Sequence, residues 1–103
     1  MIDPATGFDP LLQPPARLQI AAVLAQAQQA EFARLKAIIA ASDSVTSKHL
    51  SALSEAGYVT VTKAPSEGRQ RTWASLTGKG RRALDRHVAA LRAIIDAAPL
   101  AAE

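Results

Sequence analysis

The stretch AASDSVTSKHLSALSEAGYV, residues 40–59, decides the fold. Ser42 is a good helix N-cap, because its hydroxyl can accept from the free N–H groups of a first turn. Asp43 adds a negative charge where the helix dipole favours one. Gly57 suits the position just past a helix end, where the chain turns left-handed. A helix is therefore expected over 43–56. On a wheel Thr46, His49, Leu50, Leu53 and Ala56 share one side, and Ser44, Ser47, Lys48, Ser51 and Glu55 lie opposite. That outer face is unusual for solvent, which is ordinarily met by long Glu and Lys side chains in helix-stabilising pairs. Serine is a mediocre helix former, so its repeated use suggests that something approaches the backbone closely. A DNA groove is such an object, since short polar side chains reach phosphates and base edges without blocking entry.

Downstream, YVTVTKA alternates Val59 and Val61 with Thr60 and Thr62, the period-2 pattern of a half-buried strand. PSEG (65–68) supplies turn residues, with Gly68 free to take a positive φ. RQRTWASLT then places Thr72, Ala74 and Leu76 on one face and Arg71, Trp73 and Ser75 on the other, completing a β-hairpin. Trp73 reads as packing rather than as a platform for a base. Thr77 caps a last helix, aided by the breakers Gly78 and Gly80 and running to about Ala98. Its Leu84, Val88, Leu91 and Ile95 are spaced four, three and four, the seam of a helix that packs on another. His87 stands alone there and reads as solvent-exposed, while His49 reads as a structural histidine.

Upstream, residues 1–15 hold four of the six prolines and read as an irregular arm, which Phe8, Leu11 and Leu12 can anchor. Pro15 suits the first turn of a helix continuing to about Gln28. That helix is apolar on most of its circumference, through Leu18, Ile20, Ala21, Ala22, Val23, Leu24, Ala25 and Ala27, so it is buried on more than one side. A shorter helix is expected from about Ala30 to Ile39, with Phe32, Leu35 and Ile39 inward and Arg34 and Lys36 outward.

The 103 residues make one domain with a modest core. Alanine dominates the apolar half and aromatics are 4%, which favours close-packed helices. No cysteine is present, removing disulfides, thiolate nucleophiles and Cys-based zinc sites. Two distant histidines without a carboxylate cluster make no metal site. There is no glycine-rich phosphate loop, activated nucleophile or acid/base pair, so an enzyme is not expected, nor any cofactor. No signal-peptide pattern and no membrane-length apolar run is visible, which points to the cytoplasm. The net charge is +3, but residues 42–82 carry seven basic against three acidic side chains, and the other 62 residues carry five against six. The whole positive excess sits in the centre, as a polyphosphate partner requires.

The segment FARLKAIIAASDSVTSKHLSALSEAGYVTVTK, followed by GRQRTWASLTGKGRRAL, resembles the winged helix-turn-helix transcriptional regulators of bacteria, the MarR-like and ArsR-like group. The pattern Leu-x-x-Leu-x-x-x-Gly-Tyr-Val over 50–59, then Leu76-Thr77-x-x-Gly80-Arg81, carries it, as does the opening FDPLLQPPARLQIAAVLA. The resemblance covers about nine-tenths of the chain and implies a mainly α fold with a small β-hairpin. The recognition helix, about 43–56, would enter a major groove with Ser44, Val45, Ser47, Lys48 and Ser51. The hairpin would be the wing, about 63–72, with Lys63, Arg69 and Arg71 on phosphates or the minor groove. One departure stands out. The position of Thr46 is usually aliphatic in the family, so Val45 and Thr46 exchange character. Thr46 is expected to turn its methyl inward and its hydroxyl to a backbone carbonyl, leaving Val45 to meet a thymine methyl.

In domain terms this gives an arm (1–15), a winged helix domain (16–98) whose last helix (about 78–98) dimerises, and a tail (99–103). A large exposed apolar stripe is rare on monomers. Leu18, Leu84, Val88, Leu91 and Ile95 are therefore expected at a homodimer interface, which would set two recognition helices on a near-palindromic operator. The rival reading is a winged-helix module for protein–protein contact, disfavoured by the charge excess and the serine-rich face. RNA binding lacks exposed aromatics for stacking. A small-molecule effector is neither supported nor excluded.

Overall fold

Two prolines start the first helix, because a missing N–H costs nothing in a first turn. In the computed structural model, which describes residues 6–97, α1 runs Pro15–Ala25. It is followed by β1 (Ala30–Glu31), α2 (Phe32–Ile39), α3 (Asp43–Glu55), β2 (Val59–Ser66), β3 (Arg69–Leu76) and α4 (Gly78–Ala97). The three strands form one antiparallel sheet in the order β1-β3-β2. Residues 1–5 and the expected tail lie outside the described residues.

Two boundaries differ from the periodic reading. The first helix stops at Ala25 rather than near Gln28, and Ala30 and Glu31 are strand rather than helix start. The cause is distant: Ala30 pairs with Ala74 and Glu31 with Trp73, which pulls this backbone into the sheet. The hairpin turn is also tighter than Pro-Ser-Glu-Gly. Glu67 and Gly68 alone make it, both at positive φ (52° and 77°), the signature of a two-residue hairpin loop. Pro65 and Ser66 extend β2, opposite Gln70 and Arg69. A residue without N–H is tolerated there because β2 is an edge strand.

The core lies where all elements meet. Ile20, Ala21 and Leu24 of α1 pack with Leu35 of α2, Leu50 and Leu53 of α3, Val59 and Ala74 of the sheet, and Ala83 and Leu84 of α4. Leu84 is thus part of its own subunit's core. The first turns of α4 lie over α1, and the heptad-like spacing could not distinguish that neighbour from a second chain.

The joint between α3, the wing and α4 is made at Tyr58. Gly57 (φ 79°) ends α3, and the Tyr58 carbonyl accepts the Thr77 N–H at 2.9 Å. Thr77 Oγ1 donates to the Gly57 carbonyl at 2.6 Å and in turn accepts the Gly80 N–H at 3.0 Å, capping α4. Gly80 lies so close that a Cβ there would stand 2.2 Å from the Tyr58 carbonyl oxygen.

The arm is fastened at the same place. Asp9 is fully buried. Its N–H donates to His87 Nδ1 (2.9 Å), its carboxylate accepts from Tyr58 Oη (2.5 Å), and Oδ1 accepts the Leu11 N–H (3.0 Å). Phe8 meets the His87 ring edge-on, and Leu12 enters the core. His87 is therefore buried, 1% exposed, not solvent-facing as its isolation in sequence suggested. The partner that makes its burial tolerable lies 78 residues away. Burial, and then the Asp9 bond and charge, push the Tyr58 hydroxyl up to about 12. Burial holds His87 below its usual value against the opposing pull of Asp9.

Two outcomes follow from this packing. Gly80→Ala should destabilise by about 2–3 kcal/mol in denaturant unfolding. Gly78→Ala, whose nearest neighbour is the flexible tip of Arg82 at 3.4 Å, should be neutral or slightly stabilising. The pH dependence has a definite sign. A histidine with a lowered folded pKa is protonated more readily when unfolded. Its stabilising contribution is complete above about pH 6.5 and falls as the pH drops through its folded value. His87→Asn keeps an acceptor for the Asp9 N–H but does not titrate. Thermal melts from pH 7.5 to 5 should therefore fall less steeply for the variant than for the wild type.

Candidate nucleic-acid interface

The roll of α3 about its axis is fixed from inside. Thr46, Leu50 and Leu53 are buried. Ser42 caps the helix as expected, its Oγ accepting the Val45 N–H at 3.2 Å. Thr46 Oγ1 donates to the Ser42 carbonyl at 2.8 Å, which satisfies a buried hydroxyl. Its neighbour Val45 is turned out, 42% exposed. With those residues inward, Ser44, Ser47, Lys48, Ser51, Ser54 and Glu55 are all exposed on one side. Ser44, Ser47, Lys48, Ser51 and Glu55 are the residues that the helical wheel placed outward. His49 is half-buried, and its Nδ1 accepts from Arg17 Nε at 3.1 Å, tying α3 to α1. Burial and then the Arg17 charge lower its pKa, which favours the neutral, accepting ring.

Beside α3 stands the hairpin. Between them runs an open trough of about 550 Å³ whose lining includes Ser47, Ser51, Ser54, Val61, Lys63 and Thr72. Lys63, opposite Thr72, and Arg69, first residue of β3, are both exposed. Val61, expected to be half-buried, is 38% exposed on the trough wall. The trough thus brings the short hydroxyl side chains of α3 beside Lys63 of the wing, with Asp43 and Glu55 also on its lining, while the strand register puts Arg69 on the other face of the ribbon with Arg71.

Arg71 is the exception among the expected contacts. Its Nη1 is 2.8 Å from Glu31 Oε2, and its Nε donates to the Ser66 carbonyl at 3.3 Å. The hydrogen bond and charge of Glu31 raise its pKa. The guanidinium is turned to β1 rather than left free for phosphate. Glu31, Arg17 and Asp9 escaped sequence reasoning because each acts on a residue 32 or more positions away, which local spacing cannot register. Another acid near the site, Asp43, is neutralised by Lys36 at 2.8 Å.

On the far side, the residues expected at an interface divide. Leu18 and Val88 are partly buried against their own core, and Leu91 is half-buried. Ile94 and Ile95 at the end of α4 are 58% and 70% exposed. A groove of about 590 Å³ runs between α1 and α4, lined by Leu18, Ala22, Leu84 and Val88 among others.

Residues 16–95 match the family described as a winged helix DNA-binding domain. The chain belongs to this family. Among solved structures, a transcriptional regulator homologue protein from Pyrococcus horikoshii OT3 is similar over 87% of this chain and 89% of that one, at 27% identity and a TM-score of 0.80. YusO from Bacillus subtilis shares the fold at 20% identity and TM-score 0.72, over 80% of this chain and 57% of its own. A MarR family transcriptional regulator from Silicibacter pomeroyi DSS does so at 20% and 0.65, over 84% of this chain and 60% of that one. This chain thus spans nearly the whole of the archaeal protein but only about three-fifths of these two bacterial ones. No curated protein matches it. In winged helix terms α2 and α3 are the helix-turn-helix and β2–β3 is the wing. Among the described residues no group of side chains could hold a metal ion, and no helix is long and apolar enough to cross a membrane.

Proposed function

We propose that this protein is a cytoplasmic transcriptional regulator that binds duplex DNA sequence-specifically as a symmetric homodimer. The observation that carries the reading is the exposed face of α3, Ser44, Ser47, Lys48 and Ser51, set beside a wing whose Lys63 and Arg69 are free in a central segment holding all the chain's positive excess. Short hydroxyl side chains let the helix backbone approach a major groove, and Lys48 and Ser44 near its N-terminus reach base edges. Val45 offers a methyl-sized apolar contact to thymine. The wing cations meet the flanking backbone, supplying affinity without sequence information.

The dimer rests on the end of α4. Leu91, Ile94 and Ile95 make an apolar surface beyond the part of the helix that completes its own core. Covering it with a second copy would place two recognition helices about 34 Å apart, one turn of DNA. The similar proteins from Pyrococcus horikoshii OT3 and Silicibacter pomeroyi DSS are a transcriptional regulator homologue and a MarR family transcriptional regulator, which accords with this reading.

Mobility shift against duplex, single strand and RNA tests the binding. The duplex should be preferred, with Lys48→Ala lowering discrimination between sites by about 1–3 kcal/mol. Arg69→Ala should weaken all duplexes alike and flatten the slope of log K against log salt by about 0.9, one phosphate contact. An unchanged slope would remove Arg69 from the backbone. Sedimentation equilibrium at micromolar concentration tests the dimer. The wild type should run at twice the chain mass and Ile94→Glu/Ile95→Glu at the single mass, with a melt that stays cooperative but loses the wild type's dependence on protein concentration.

A further inference from the structure

Among the described residues nothing beyond Glu31 pairs with the outer edge of β3. The strand β1 ends there, opposite Trp73, while the hairpin continues through the pairs Lys63–Thr72, Ala64–Arg71, Pro65–Gln70 and Ser66–Arg69. At about 3.3 Å per residue that is on the order of 10 Å of two-stranded ribbon standing clear of the sheet. An isolated ribbon of this kind is marginally ordered in water. One side chain spans the gap. Arg71 Nη1 contacts Glu31 Oε2 at 2.8 Å, and its Nε reaches the Ser66 carbonyl at 3.3 Å, beside the turn on the opposite strand. Both charged side chains are largely shielded, 22% and 25% exposed. Glu31 is itself held at the junction of β1 and the start of α2, and its side chain makes no cap bond to that helix.

We propose that Arg71 is a positioning residue, a brace from Glu31 on the body to Ser66 at the wing tip that sets where Lys63 and Arg69 stand. Its charge is spent on Glu31 and adds no phosphate contact. This rests on the duplex-binding reading above. A planar guanidinium suits this task because its fork addresses two acceptors at once, whereas a lysine ammonium is a single point charge.

The test uses the full chain, a bound duplex and a salt series, with thermal melts to confirm folding. Glu31→Gln should weaken binding about three- to fivefold, the scale of a partly shielded ion pair, with the salt slope unaltered. Arg71→Lys should weaken it similarly despite keeping the charge. The exchanged pair Glu31→Arg/Arg71→Glu should recover most of the affinity. In the DNA-free protein, Glu31→Gln should speed amide exchange at Arg69 and Arg71, whose N–H groups face β2, without affecting α3. If Arg71 were a phosphate contact that Glu31 merely restrains, Glu31→Gln would tighten binding and steepen the slope, and Arg71→Lys would be silent. Either result overturns the brace while leaving the DNA reading intact. A wild-type chain that bound no duplex would overturn both, whatever the exchange rates.

Discussion

The contact on which this molecule depends is the one between Gly80 and the backbone of Tyr58. Three elements with different tasks converge there: the recognition helix has just ended, the wing is about to begin, and α4 starts. The Tyr58 carbonyl takes the Thr77 N–H, the Thr77 hydroxyl closes on Gly57 and caps α4, and a helix without a side chain at position 80 fits against the bend. The Tyr58 side chain then extends the joint to the arm, where Asp9 and His87 make a buried polar cluster. Buried polar groups of this kind are costly when half satisfied and rigid when fully satisfied. No buried side-chain N or O among the described residues lacks a partner.

Rigidity at that joint matters because the DNA-facing side is built from short side chains. Serines cannot adapt their reach as lysines do, so the helix that carries them must be delivered at the right depth and roll. Thr46, Leu50 and Leu53 set the roll, and Arg17 holds His49 from the neighbouring helix. The same reasoning applies to the wing, where a ribbon beyond the sheet gains its orientation from Arg71. In this view specificity belongs to α3, and affinity to the two free wing cations. Of the acids near them, Asp43 and Glu31 each have an ion-pair partner, whereas Glu55 and Glu67 are exposed.

What could be read in the sequence was what local chemistry encodes. The N-cap Ser42, the C′ Gly57 and the outward serines placed α3 within a residue at its end, and the exchange of Val45 with Thr46 was visible as a break in pattern. The alternation of Val59 to Thr62 gave the hairpin, although the period-2 signal did not reveal that its turn is only Glu67 and Gly68. Contacts between remote residues were not legible. Strand β1 exists only because Trp73 and Ala74 lie opposite it. His87 looked solitary because Asp9 is 78 residues away, and Arg71 looked like a phosphate contact because Glu31 is 40 away. The even spacing of the α4 seam does not show that Leu84 belongs to its own core while Ile94 and Ile95 at the end of the helix are exposed.

The central claim is that the serine face of α3 and the tip of the wing together meet duplex DNA. It is tested most directly by titrating isotope-labelled protein with a duplex selected from a random pool and following backbone amides by NMR. The account predicts that the shifts concentrate at residues 43–51 of α3 and 63–70 of the wing, with the Ile94–Ile95 end of α4 unaffected. Perturbations centred on α4, with α3 unchanged at saturation, would contradict it.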